Sequence, residues 1–459
     1  MTKRVEYVDI VKAAAIFLVV LGHTNDPFVP GQVRTYMDVC YAFHMPLFFF
    51  LSGLFICPKE NYSWAVWRRF LLKNVLALIV PFMAWGIIYM DNFSYLNIAK
   101  IFWGTRGILR EIPTVSSLWF LPTFFLARVY CEGVFDLARR LKVSVNLVGA
   151  LSVPVLFAIG FLLPHNTSHL GGWGNFWGCD IAFVCAGFVM AGYLLKTALA
   201  KLSAAPVGVI ALACATFSAM FVWGFRTELP LLKVGVDNTM TMCSAVYGPI
   251  QWCLFNAFTG TLGFVCAAML VARIPFKRPF LLFVGANTMG VYLLHKPIVL
   301  ELKGYFGQWF GIRVVDVWEG LLVAVPAFLI SVALLLLVSR FAPKLFGKAG
   351  KGVAVSDVLA VVLGEDARVG AIEKRALKDM FECYRRNILA DGKVDLEETA
   401  MLLRFVTPLA EARGGAYREF RDALVRVRED GVISESESAE IAEKLTALAK
   451  GRHCTGGEA

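Results

Sequence analysis

Apolar runs of about 17 to 25 residues recur along most of this chain, and that is the length that carries an α-helix across a hydrocarbon core. About ten of them fall in the first 340 or so of the 459 residues, near 8–24, 41–57, 71–90, 118–137, 146–163, 177–195, 205–224, 247–271, 280–299 and 318–339. They raise the hydrophobic fraction to 58% and leave 17% charged. The fold class that follows is all-α, a polytopic transmembrane helical bundle. The last hundred residues are charged and poor in aromatics, which marks a small soluble helical domain after the bundle.

The net charge of +10 does not point to nucleic acid, because the basic residues sit in short clusters between apolar runs, as topology signals do. Lys3 and Arg4, then Lys59, Arg68, Arg69 and Lys73, then Arg139, Arg140 and Lys142 fall on alternate connections, and later clusters continue the pattern. The other connections carry Asp26, Asp38, Asp91, Glu111, Glu228 and Asp237. Basic loops stay inside, so the N-terminus is expected in the cytoplasm and, with an even number of spans, so is the C-terminal domain. The compartment expected is a bacterial inner membrane. The eleven cysteines show no metal or disulfide spacing and read as small core residues. No cleavage pattern follows His23, so the first run is expected to be a retained span.

Two of the runs carry ionisable residues that a lipid-facing helix would not tolerate. In VDIVKAAAIFLVVLGH, Lys12 and His23 are eleven positions apart, roughly 1100° at about 3.6 residues per turn, which returns them to one face about 16 Å apart. Asp9, three residues before Lys12, joins the stripe at ion-pair spacing. Three such groups on one apolar helix face protein or a water-filled cavity, since burial in hydrocarbon costs several kcal/mol each. Packing alone would make them an ion pair and a hydrogen-bonded histidine. Chemistry would make His23 a general base toward an attacking hydroxyl, or a transient acyl carrier. Lys12 would then meet a polyanionic donor from the cytoplasm, with Asp9 holding Lys12.

Further polar groups converge on the same levels. FHMPLFFFLSG brings His44 just before Pro46, a kink site, and ends on Ser52 and Gly53, which permit close helix approach. Trp119 in SSLWFLP is placed for an aromatic belt or a substrate contact. NTMGVYLLHKP sets Thr288, Tyr292 and His295 on one helix face. With the expected topology, His23, His44, Trp119 and His295 lie toward the outside, while Lys12 lies inward near Arg68, Arg69 and Lys73. A single continuous cavity from a cationic inner mouth to an imidazole-bearing outer chamber is the expectation.

From residue 344 to 356 the chain reads as a linker, between a transmembrane domain over 1–343 and a cytosolic helical domain over 357–459. The latter repeats a tight turn and helix start, ADGKVDLEETAMLL from Ala390 and EDGVISESESAEIA from Glu429. Asp395 with Glu398, and Ser434 with Glu437, have the spacing of capping boxes. Read as calcium loops, the copies place Asn387 and Leu389, then Arg426 and Arg428, where the first ligands belong, which disfavours an EF-hand.

Lys12 and His23 at their spacing, FHMPLFFFLSG from Phe43, RRFLLKNVLALIVP from Arg68, LWFLP from Leu118 and VYLLHKP from Val291 together resemble the membrane-bound acyltransferase-3 family, and within it the fucose 4-O-acetylase-like branch. The resemblance covers about residues 4 to 340, with its motifs in the expected order. It implies transfer of an acyl group, usually acetyl from acetyl-CoA, to hydroxyls of cell-surface or exported glycans. His23 would be the catalytic histidine, with Asp9 and His44 beside it. Lys12 stands at a position where many relatives have arginine, and with Arg68, Arg69 and Lys73 would bind the donor. Trp119, Tyr292 and His295 would meet the acceptor. Acyl-CoA is a donor substrate; no bound cofactor and no metal is expected. The partners implied are a glycan or lipid-linked sugar, membrane lipids and a protein docking on the C-terminal domain, which resembles the tellurite-resistance TerB-like helical domains. A polytopic transporter or exporter is the alternative, since intramembrane charge and histidine also suit a proton relay.

Overall fold

The structure is a computed structural model, and it describes residues 6–24, 35–109, 111–163, 173–232, 242–245, 247–276, 278–314, 316–346, 399, 402–403, 406–407, 415–427 and 434–450. All regular structure among these residues is helical. The chain divides into two compact units, Arg4–Val355 and one made chiefly of Ser356–Ala459.

In the larger unit the helices are α1 (Glu6–Gly22), α2 (Thr35–Gly53), α3 (Trp64–Asn74), α4 (Val80–Ile88), α5 (Tyr95–Trp103), α6 (Arg106–Leu109), α7 (Phe120–Arg140), α8 (Val145–Leu162), α9 (Cys179–Ala204), α10 (Val207–Leu232), α11 (Ile250–Arg273), α12 (Pro279–Ala286), α13 (Thr288–Phe310) and α14 (Val317–Phe341). A π-helical segment, Val75–Ile79, joins α3 to α4, and a 3-10 turn, Ser116–Trp119, leads into α7. Another 3-10 turn, Pro343–Phe346, follows α14.

Seven helical stretches among the described residues are long and apolar enough to cross a membrane: Trp64–Ile88, Ser116–Arg140, Val145–Leu162, Phe176–Ala204, Val207–Thr227, Ile250–Arg273 and Val317–Ser339. The other three expected runs fold as α1, α2 and the α12–α13 pair. These are shorter, more polar or broken: α1 has 17 residues, α2 contains Asp38, His44 and Pro46, and Asn287 interrupts the last pair.

The hub is α1, which packs against α2, α11, α12, α13 and α14. Twelve of its residues are buried, from Tyr7 to Gly22 and on all sides. A helix apolar all round belongs inside a bundle, and this one carries its polar stripe into protein surroundings, where ionisable groups are tolerated. Its seat on α12 is close: a Cβ on Gly285 would lie 2.0 Å from the Asp9 carbonyl oxygen. The α2–α9 crossing is equally tight, with Gly192 against the Phe50 carbonyl. Small residues of this kind let helix backbones meet in lipid.

The loop after α2 is strapped down. Tyr62 donates to the buried Glu132 carboxylate at 3.2 Å, Arg139 Nε donates to the Lys59 carbonyl at 3.1 Å, and Lys196 Nζ donates to the Ile56 carbonyl at 3.1 Å. At the other junction, Trp85 Nε1 donates to the Leu345 carbonyl at 2.8 Å, which fixes the segment leaving α14.

In the smaller unit, α15 (Ala416–Val427) buries Phe420, Ala423, Leu424 and Val427, one face at helical spacing, and α16 (Glu435–Lys450) buries Ile441. Ser434 caps α16: its N–H donates to Glu437 Oε2 at 2.9 Å, and the Glu437 N–H donates to Ser434 Oγ at 3.3 Å, a reciprocal capping box. The other expected box, Asp395 with Glu398, lies outside the described residues.

Two outcomes follow. Gly285→Ala forces α1 and α12 apart, and overpacking of this kind costs about 1–3 kcal/mol; the thermal unfolding midpoint in detergent should drop, and an unchanged midpoint would show that the seat is compliant. The Ser434 hydroxyl, and then its backbone N–H, hold the Glu437 carboxyl below its ordinary value. The cap is therefore fully formed above the ordinary carboxylate range and is lost as pH falls through the lowered value. Hydrogen-exchange protection at Glu435–Ser438 should fall with it, and Ser434→Ala should remove that pH dependence.

Candidate active site

A cavity of about 460 Å³ opens beside α1. Each helix around it contributes one face: Lys12, Ile16 and Val19 from α1, Met45, Phe48, Ser52 and Phe55 from α2 and its loop, and Phe120, Phe124 and Arg128 from α7. These spacings of three and four are the neighbours of a helix surface. Leu51 of α2, Ala77 and Leu78 of the π-helical segment, Thr288, Met289 and Tyr292 of α13, and Phe346 complete the wall. The lining is thus mainly apolar with two cations. Lys12 Nζ sits 5.3 Å from the centre of the Phe55 ring, a cation–π contact. The Nε of Arg128 is buried without a hydrogen-bond partner. A shallower depression of about 560 Å³, lined only by α10 residues including Trp223 and Arg226, lies on the exposed face of that helix and touches none of these groups.

At the other end of α1 a polar cluster forms. His23 follows the last turn, part-exposed, and its ring centroid is 5.1 Å from that of His295, the planes inclined by 39°. Lys296 Nζ lies 3.5 Å from His23 Nδ1. His295 is fully buried, with Nδ1 2.6 Å from the Tyr292 carbonyl oxygen. A carbonyl can only accept, so Nδ1 carries the proton and Nε2 is a bare acceptor. That Nε2 is buried with no hydrogen-bond partner, as is Ser117 Oγ. The Tyr292 hydroxyl donates to the Ser117 carbonyl, and its ring lies 5.8 Å from the His295 ring.

Tyr292 therefore belongs to both regions. It lines the cavity on one side and stacks toward His295 on the other. Neither His23 nor His295 is among the residues that line the cavity, so the single open passage expected from the sequence is not what the structure shows.

The other expected residues divide between these two regions and the surface. Lys12 faces the cavity. Asp9 is buried where α1 meets α12. His44 is buried, its Nδ1–H donating to the Cys40 carbonyl at 2.6 Å, and it meets Tyr41 edge-on at 5.1 Å. The Tyr41 hydroxyl in turn donates to the Gly22 carbonyl at 3.1 Å, so His44 braces the end of α1 from behind. Trp119 is buried in the core against Phe120 and does not line the cavity. Arg68, Arg69 and Lys73 are exposed on α3, away from the cavity wall.

Three polar groups went unread in the sequence. Arg128 is an ionisable residue in the middle of an apolar run, and that alone marks it. Lys296 was visible in the HKP string but carried no spacing to His23, 273 residues away. Ser117 gave no signal.

The sequence pattern of acyltransferase family 3, described as an acyltransferase domain, matches residues 5–340, nearly the whole larger unit. No curated protein and no solved structure matches the chain. Between enzyme and transporter, the match over 5–340 decides for the enzyme: this chain belongs to the acyltransferase-3 family and is a membrane acyltransferase.

Proposed function

We propose that the chain transfers an acyl group, acetyl above all, from acyl-CoA to a hydroxyl of a cell-surface or exported glycan, in the fucose 4-O-acetylase-like manner. The observation that carries this reading is a part-exposed imidazole at the end of the hub helix, beside His295, whose neighbour Tyr292 lines a two-cation, apolar-walled cavity. The cavity suits a long thioester arm, and Lys12 with Arg128 offers charge to the phosphates behind it. Arg68, Arg69 and Lys73, exposed on α3, would draw the polyanionic donor in from the cytoplasm, an attraction that reaches about 8 Å at physiological salt.

In the reaction, His23 takes the proton of the acceptor hydroxyl as that oxygen attacks the thioester carbonyl. The new C–O bond forms, the C–S bond breaks, and the departing thiolate takes the proton back from His23. Lys296, beside His23 Nδ1, stands where negative charge develops on oxygen. The C-terminal unit is read as a cytosolic TerB-like domain that docks a protein partner, with both termini in the cytoplasm of a bacterial inner membrane.

Membranes containing the chain, given radiolabelled acetyl-CoA and a glycan extract, should move label into glycan. His23→Ala should lose at least about 10²-fold in turnover while still inserting; a fully active His23→Ala removes this mechanism. Arg128→Met and Lys12→Met should each raise the donor KM about tenfold or more, since a hydrogen bond to a charged group contributes about 1.5–3 kcal/mol. Arg68→Gln should act only weakly and only at low salt; an equal KM effect would move the donor site to α3.

A further inference from the structure

His295 offers a second imidazole whose geometry is fixed by backbone and whose free nitrogen has nothing to bond. Its Nδ1–H is committed to the Tyr292 carbonyl at 2.6 Å, so Nε2 can only accept. Leaving a buried acceptor unfilled is costly, which argues for a donor that reaches it during turnover. The His23 ring faces it at 5.1 Å between centroids, close enough for two opposed ring nitrogens to meet at hydrogen-bond distance after a turn of the part-exposed His23 ring. The neighbouring residue, Lys296, approaches His23 from its other nitrogen, at 3.5 Å from Nδ1.

These contacts order into one chain of donors and acceptors. After that turn His23 Nε2–H would donate to His295 Nε2, whose own Nδ1–H donates to the Tyr292 carbonyl, while Lys296 Nζ stays beside His23 Nδ1 and leaves its lone pair to the incoming hydroxyl. We propose that His295 is the positioning residue of this acyltransferase: by accepting from His23 Nε2–H it selects the tautomer of His23 and presents Nδ1, beside Lys296, as the atom that takes the hydroxyl proton. An imidazole has two nitrogens and only one useful orientation here, and the ring that fixes it comes from α13, not from α1. Neighbouring residues on one helix thus do complementary work, since His295 orients the base and Lys296 faces the oxygen that the base deprotonates. The inference rests on His23 acting as the base.

The test uses the full chain in membranes, with labelled acetyl-CoA, and three substitutions at one position. Glutamine places a carbonyl oxygen near where His295 Nε2 stands and so keeps an acceptor for His23. Asparagine keeps a donor toward the Tyr292 carbonyl but offers nothing at the Nε2 position, and phenylalanine keeps only the shape. His295→Gln should retain turnover within about tenfold, whereas His295→Asn and His295→Phe should lose about 10²-fold or more, with the donor KM unchanged. A merely structural role for the Tyr292 contact gives the opposite order, asparagine rescuing and glutamine failing, and overturns the proposal. As a second readout, 15N-histidine spectra should show His23 protonated at Nε2 in the unaltered chain and a mixture of tautomers in His295→Phe; identical spectra overturn it even if that variant folds poorly. If all three variants transfer normally while His23→Ala is dead, the positioning role fails and the acyl-transfer reading stands. No transfer by the unaltered chain, or full activity in His23→Ala, removes both.

Discussion

The backbone contact between Asp9 and Gly285 governs where everything else in the site can be. With nothing but hydrogen on the α12 side, α1 comes near enough to be enclosed on all faces by five helices. Enclosure is what makes its charged stripe affordable: Lys12 finds a cavity and an aromatic face, Asp9 a protein environment, and His23 the company of Lys296 and His295. An α1 on the rim of the bundle would turn one of these groups to hydrocarbon, at several kcal/mol each.

That burial also explains how one helix serves two chambers. Lys12 looks into the apolar-walled cavity with Arg128, and His23 emerges past the last turn among polar partners. Tyr292 is the side chain common to both: it lines the cavity, lies beside the His295 ring and donates to the Ser117 carbonyl.

Much of the architecture was legible because lipid imposes it. Apolar runs of spanning length became helices, and the Asp9, Lys12 and His23 periodicity put three groups on a buried helix. What the sequence could not convey was rotation. The π-helical segment Val75–Ile79 inserts an extra residue and turns the helix about its axis, so Ala77 and Leu78 line the cavity while Arg68, Arg69 and Lys73, about one to three turns earlier, face outward. A count at 3.6 residues per turn misses such a shift. Arg128 is marked as a single ionisable residue within an apolar run, a signal that only a residue-by-residue reading, not an average over the run, brings out. His295 and Lys296 illustrate a third limit, since adjacent residues on a helix point about 100° apart, and only the folded chain reveals that both reach His23.

The segment after α14 carries a lesson about boundaries. The family pattern stops at residue 340, yet Phe346 forms part of the cavity wall and the Leu345 carbonyl is bonded to the Trp85 indole. A cut placed by similarity alone would open the cavity on that side, so the shortest piece of this chain that keeps its wall whole is longer than the piece the family pattern covers.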